Sequence, residues 1–237
     1  LVKRIILFVK GETLDEDKLR IQPQSILGKN LDYVFESSFQ GKGHWANAPI
    51  YRVLLSLIRQ RPRDLVKLCT LAATEAYNKN HDKIMTSDLE NSFRAYSNGR
   101  LTDTINEYSS ELKDDILKRV LLEMKPSAKK QGNPFVYTPS ELSVKMKQII
   151  EHIGRTKFNS GDTINEKNLP VFLYKINFLT VRKDTSEQII RYYYDESNYI
   201  VSENVDFGFN VEVHPAYRWA LQPDSIEDIY EQIALVS

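Results

Sequence analysis

The sequence predicts an α+β protein, mostly helical, and three observations carry that prediction. Apolar residues recur at helical spacing from Pro49 onward. Thr138-Pro139-Ser140-Glu141 joins a capping threonine to a proline at the first helical position and a glutamate that closes a capping box. After Phe178 the period shortens to that of β segments.

Ile5-Ile6-Leu7-Phe8-Val9 is a continuous apolar run between Lys3-Arg4 and Lys10-Gly11, and it predicts a strand buried on both faces. A chain that starts in mid-sheet reads as a fragment of a longer one. The polar stretch from Gly11 to Ile21 predicts a solvated loop or a short helix. Ile50, Val53, Leu54, Leu57 and Ile58 then form one helical stripe. Pro62 suits the first turn of the next helix, whose stripe is Leu65, Leu68, Cys69, Ala72, Ala73 and Ala76. Alanine at three of those positions implies a close neighbour. Ser87-x-x-Glu90 predicts a capping box for a third helix, with Leu89, Phe93 and Tyr96 inward. Residues 101–124 form a long helical pattern with a break near Ser109-Ser110, and Lys125-Pro126 stops it.

A loop over residues 126–139 leads to the helix capped by Thr138. Another helix is predicted from Thr163-x-x-Glu166 to about Phe178, with Pro170 marking a kink or a later start. Residues 178–181 and 188–194 read as two β segments around the turn Lys183-Asp184-Thr185-Ser186. Residues 207–213 read as a third, and residues 225–235 as a closing amphipathic helix. Helices followed by a β-hairpin follow the order of a winged helix-turn-helix; a generic α+β packing unit is the alternative.

Lys+Arg and Asp+Glu both number 32, so the net charge is zero and the chain is not a general polyanion coat. The charge is nevertheless patchy. Residues 51–70 carry +4, residues 111–160 carry +4 and residues 201–237 carry −6. A single cysteine, Cys69, excludes an intrachain disulfide and a thiolate-rich zinc site, and fits a reducing, cytoplasmic setting. No apolar run reaches the ~20 residues of a membrane span.

Gly28-Lys29 and Gly41-Lys42 lack the spacing of a phosphate loop, and no G-x-G-x-x-G occurs. His44, His81, His152 and His214 are dispersed, and His214 before Pro215 reads as a strand-ending cap or a core hydrogen bond. No nucleophile with a paired base is apparent, so no catalytic residue is assigned. Arg61-Pro62-Arg63-Asp64-Leu65 is the most specific motif. It sets two guanidiniums at a helix start, where the dipole favours an anion; pairing of Arg63 with a neighbouring acid is the alternative.

That motif, with Cys69, Ala72, Ala76, Ile84, Asp88-Leu89 and Tyr96-Ser97, resembles the helical lid of AAA+, origin-recognition-like and STAND P-loop ATPases, in a form common in bacterial defence loci. The resemblance covers roughly residues 50–220. It implies an ATPase-core remnant over residues 1–48, a lid over 49–110 and a winged-helix domain over 111–237. It implies that Ile5–Val9 is a late strand of the ATPase sheet, with Lys10 at the sensor-1 place and Arg63 as the arginine reading the γ-phosphate. The phosphate loop, and the main site for ATP and Mg2+, would precede Leu1. The implied protein is an ATP-dependent switch in antiviral defence, acting as a homo-oligomer. Its winged helix would contact double-stranded DNA or an effector protein, with Lys175, Arg182, Lys183 and Arg191 as the DNA contacts. Tyr192, Tyr193 and Tyr194 suit a sheet face or an interface at least as well as base stacking. A stand-alone winged-helix regulator and a non-catalytic scaffold are the competing readings.

Overall fold

A helix, not a strand, opens the chain. In the computed structural model, which describes residues 1–42, 45–58, 61–126, 133–185, 189–195 and 209–222, α1 spans Val2–Lys10. Only Ile5 and Ile6 of the apolar run turn inward; Leu7 is 49% and Phe8 91% exposed. A strand buried on both faces therefore does not form at Ile5–Val9, and the end of an ATPase sheet expected there is absent. A run of five apolar residues fits a helix as readily as a strand, and the flank decides. Gly11, at φ 69°, takes the left-handed conformation and donates its N–H to Leu7 O at 3.0 Å, closing the helix.

The described residues divide into two compact units, Leu1–Tyr96 and residues 97–222. In the first, the polar stretch after α1 holds a short α2 (Glu16–Arg20), and α3 (Gln24–Gly28) runs into a 3-10 turn over Lys29–Tyr33. Gly28 packs so close to the Tyr51 ring that an added Cβ would collide with it. β1 (Ser38–Phe39) pairs antiparallel with β2 (Ala48–Pro49). Then follow α4 (Ile50–Leu57), α5 (Pro62–Asn78) and α6 (Thr86–Glu107). The division between the units falls within α6.

The core of the first unit is aromatic. Phe39, Trp45 and Phe93 are fully buried, with ring centroids 5.6–6.2 Å apart. Such pairs add about 0.5–1.5 kcal/mol each beyond the area they bury. Leu89, Phe93 and Tyr96 face inward as expected, and Tyr96 Oη donates to Leu57 O at 3.0 Å. The start of α6 differs from the expected box. Thr86 is its first residue, and Asp88, not Ser87, reaches back to accept from Met85 N at 2.9 Å.

In the second unit α6 ends at Glu107, before the expected break at Ser109-Ser110. The Asn159 side chain holds that corner by donating to Ser109 O and Ser110 O at 3.1 and 3.0 Å. α7 (Asp114–Glu123), β3 (Val136–Tyr137), α8 (Pro139–Ile153) and α9 (Asn168–Lys175) follow. α9 starts later than predicted, which places Pro170 in its first turn, where no intrahelical N–H is needed. β4 (Leu179–Asp184), β5 (Ile189–Tyr192) and β6 (Asn210–Val213) complete an antiparallel sheet of order β3-β6-β4-β5, and α10 (Pro215–Leu221) closes the described part. The helix predicted over residues 225–235 lies outside the described residues. The protein is thus α+β and mostly helical, with small sheets.

The cap predicted for α8 forms in full. Thr138 Oγ1 accepts from Glu141 N, and Glu141 Oε2 accepts from Thr138 N at 2.8 Å. Thr138→Ala is expected to lower unfolding free energy by about 1 kcal/mol, read as a shifted urea midpoint at unchanged slope.

Candidate functional site

Period-2 alternation sorts the second sheet into two faces. Leu179, Val181, Val211 and Val213 share one; Thr180 and Arg182 on β4, Arg191 on β5 and Glu212 on β6 share the other. α10 brings a further charge, Arg218, to Glu212. Glu212 and Arg218 are both completely buried. Arg218 donates from Nη2 to Glu212 Oε2 at 2.7 Å and from Nε to Val213 O at 2.9 Å, with its guanidinium 5.2 Å from the centre of the Phe135 ring. Arg182 donates to the same Oε2 at 3.2 Å and forks onto Asp184, Nε to Oδ1 at 2.6 Å and Nη2 to Oδ2 at 3.2 Å. Arg191 Nε closes the set on Glu212 Oε1. Burial alone would raise the Glu212 pKa. Arg191, Arg218 and Arg182 override it and hold the carboxyl well below the usual carboxylate range.

Of the four basic residues expected to contact DNA, Arg182 and Arg191 are thus spent on one buried acid. Lys175, at the end of α9, donates to Glu111 Oε2 at 2.7 Å, which raises its pKa despite partial burial. Lys183 lies 5.5 Å from the centre of the Phe209 ring. Tyr193 packs its ring 5.8 Å from His214, Tyr192 on Phe209 and Tyr194 on Tyr174. His214 is fully buried and caps α10, its Nδ1 accepting from Ala216 N at 3.1 Å.

The other expected site residues lie in the first unit. α5 starts at Pro62 with Arg61 as its N-cap; Arg63 is exposed in the first turn and Arg61 half-buried. Lys10, in the last turn of α1, stands over the Tyr33 ring at 5.5 Å. A second buried acid anchors this unit. Asp88 accepts from Lys79 Nζ at 2.9 Å and Met85 N at 2.9 Å, and pairs with His81 Nδ1 at 2.8 Å. Burial raises its pKa, but the bonds from His81, Lys79 and Met85 outweigh that and leave it below the ordinary value. Glu36 Oε2 in turn accepts from Thr86 N and Thr86 Oγ1 at 3.0 and 2.9 Å, fixing the start of α6.

Among the described residues no group of His, Cys, Asp or Glu could hold a metal ion, and no helix is long and apolar enough to cross a membrane. Sequence reasoning missed Glu212, Arg218 and Asp88 as charge centres. The signal for Glu212 was present, an acid flanked by Val211 and Val213 in a strand with apolar neighbours.

Residues 18–105 match the family described as the FunZ-associated C-terminal helical domain. The chain is also similar to the transposon gamma-delta 80.3 kDa protein of Escherichia coli (strain K12). The two are 24% identical over 192 residues, which cover 77% of this chain and 26% of that protein. The chain therefore spans about a quarter of the length of this curated relative. No solved structure matches it.

Proposed function

We propose that this chain is the non-catalytic C-terminal part of a cytoplasmic, oligomeric P-loop ATPase switch. In this reading its sheet-bearing unit is a winged-helix module that docks a protein partner in preference to duplex DNA. The observation that carries the choice of partner is the commitment of Arg182 and Arg191 to the buried Glu212, with Lys175 held by Glu111. Phosphate contacts need guanidinium and ammonium groups turned outward. The third helix of the module, α9, also buries Leu169, Pro170, Phe172, Leu173 and Tyr174, which leaves little of it to enter a groove.

The switch part of the reading draws on two further observations. The similarity covers only 26% of a longer transposon protein, and the matching family is described as C-terminal. Such a switch suits mobile DNA or a defence locus. In this reading Mg2+ and the phosphates are held by an adjoining ATPase body. This chain would contribute Arg63 and Arg61 from the start of α5, where the helix dipole adds to their attraction for the γ-phosphate.

A salt series of duplex-DNA titrations tests the docking preference. Binding that changes with salt by a log–log slope shallower than about −2 is expected. A slope of about −4 or steeper would mean several phosphate contacts and would favour a DNA-binding regulator.

A further inference from the structure

The first unit carries an open apolar groove of about 450 Å³ between α1 and α5. Its floor is core: Ile5 of α1, with Phe35 and Ile84, all buried. One wall is a stripe along α5. Val66, Cys69 and Ala73 sit at helical spacing, and Val66 is 51% exposed. Both stripes continue beyond the groove. Phe8 lies one turn on from Arg4 and Ile5 on α1, and Tyr77 one turn on from Ala73; they are 91% and 82% exposed.

Large apolar side chains concentrated on two adjacent helical stripes mark an interaction surface rather than scattered exposure. From Pro62 to Ala73 the wall runs about 17 Å at 1.5 Å per residue, or roughly three helical turns. The charged side chain lining the groove is that of Arg4, which makes no side-chain hydrogen bond or ion pair among the described residues. A cation at the rim of an apolar trough is complemented by an acid.

We infer that this groove receives an amphipathic helix of a partner protein, about three turns long, that inserts apolar side chains between α1 and α5 and sets one carboxylate against Arg4. Recognition then follows the helix-in-groove mode, with anchors at i, i+3 or i+4, and i+7. The charge pair contributes register and selectivity more than affinity. This surface is distinct from the docking face proposed for the sheet-bearing unit and does not depend on it.

The test uses the full chain and two fluorescein-labelled helical peptides of three to four turns. Each carries leucine at i, i+3 and i+7; one has a single glutamate beside them and the other a lysine in its place. Saturable binding of the glutamate peptide is expected, at least about tenfold tighter than that of the lysine peptide. Ala73→Arg, at an exposed position on the wall, should abolish binding without changing the melting temperature. Arg4→Glu should reverse the preference between the peptides. Cys69 reports occupancy independently. Burial pushes its thiol up to about 11, so alkylation by iodoacetamide followed near pH 9 should slow when the glutamate peptide is bound. Three outcomes would overturn the inference: no saturable binding of that peptide, binding indifferent to Ala73→Arg, or a dimer in sedimentation that Ala73→Arg dissolves. The last would assign the groove to a second copy of the chain.

Discussion

Glu212→Gln is expected to destabilise the second unit by about 3–5 kcal/mol, the range for removing one partner of a buried ion cluster. The geometry explains the size. Glu212 is the shared acceptor of Arg182, Arg191 and Arg218, and neither Glu212 nor Arg218 reaches solvent. Without the carboxylate, Arg218 keeps Val213 O and the Phe135 ring but loses its counter-charge while completely buried. Arg182 keeps Asp184 and suffers less. Arg218→Met should be milder than Glu212→Gln, because Arg182 and Arg191 still neutralise the remaining acid. The pH dependence has a definite sign. The folded carboxyl titrates below the unfolded one, so its stabilising contribution is complete above the ordinary glutamate pKa, about 4.3. It is lost as pH falls below that value toward the folded pKa. Acid unfolding should therefore be steeper below about pH 4 in the wild type than in Glu212→Gln. A urea midpoint for Glu212→Gln within the error of the wild type would sink the claim that this cluster holds the sheet to α10.

Asp88→Ala is the second large effect, and a smaller one, about 2–3 kcal/mol from the lost cap and the charged hydrogen bonds. Asp88 is fully buried, as Glu212 is, but its partners are not. The Lys79 and His81 side chains are 33% and 34% exposed and can regain water when the acid is gone. What is lost for good is the acceptor for Met85 N at the start of α6, and with it the join between α6 and the turn after α5. The depressed pKa again places the contribution above the ordinary aspartate value, about 3.9, with loss below it. Hydrogen exchange should show the first turn of α6 opening in Asp88→Ala while the amides of α8 keep their protection; equal loss in both would contradict a local role for the acid.

The features most legible in the sequence were those written in neighbouring residues. The capping box at Thr138 and Glu141, proline at the start of α5, and the inward face at Leu89, Phe93 and Tyr96 are local patterns, and the structure has them. Strand positions after Phe178 were legible for the same reason. Ile5–Val9 failed because a short apolar run carries no period of its own; what ends it is the left-handed Gly11, and what exposes Phe8 is the helical turn. Charge centres failed differently. Arg182 and Arg191 read as DNA contacts until the register Thr180↔Glu212 and Arg182↔Arg191 gathers them around one acid. A long-range pairing of that kind is fixed by sheet topology, which single residues do not announce.

ATP turnover by Arg63→Ala, in a protein that joins this chain to a phosphate-loop ATPase body, tests the proposed switch most directly. Arg63 is exposed in the first turn of α5, so the substitution should leave the melting temperature within a degree or so, about the effect of a surface change. The switch predicts turnover reduced about tenfold or more, the scale for losing one charged group that meets a transferring phosphoryl. Turnover and ATP affinity equal to those of the unsubstituted protein would contradict it.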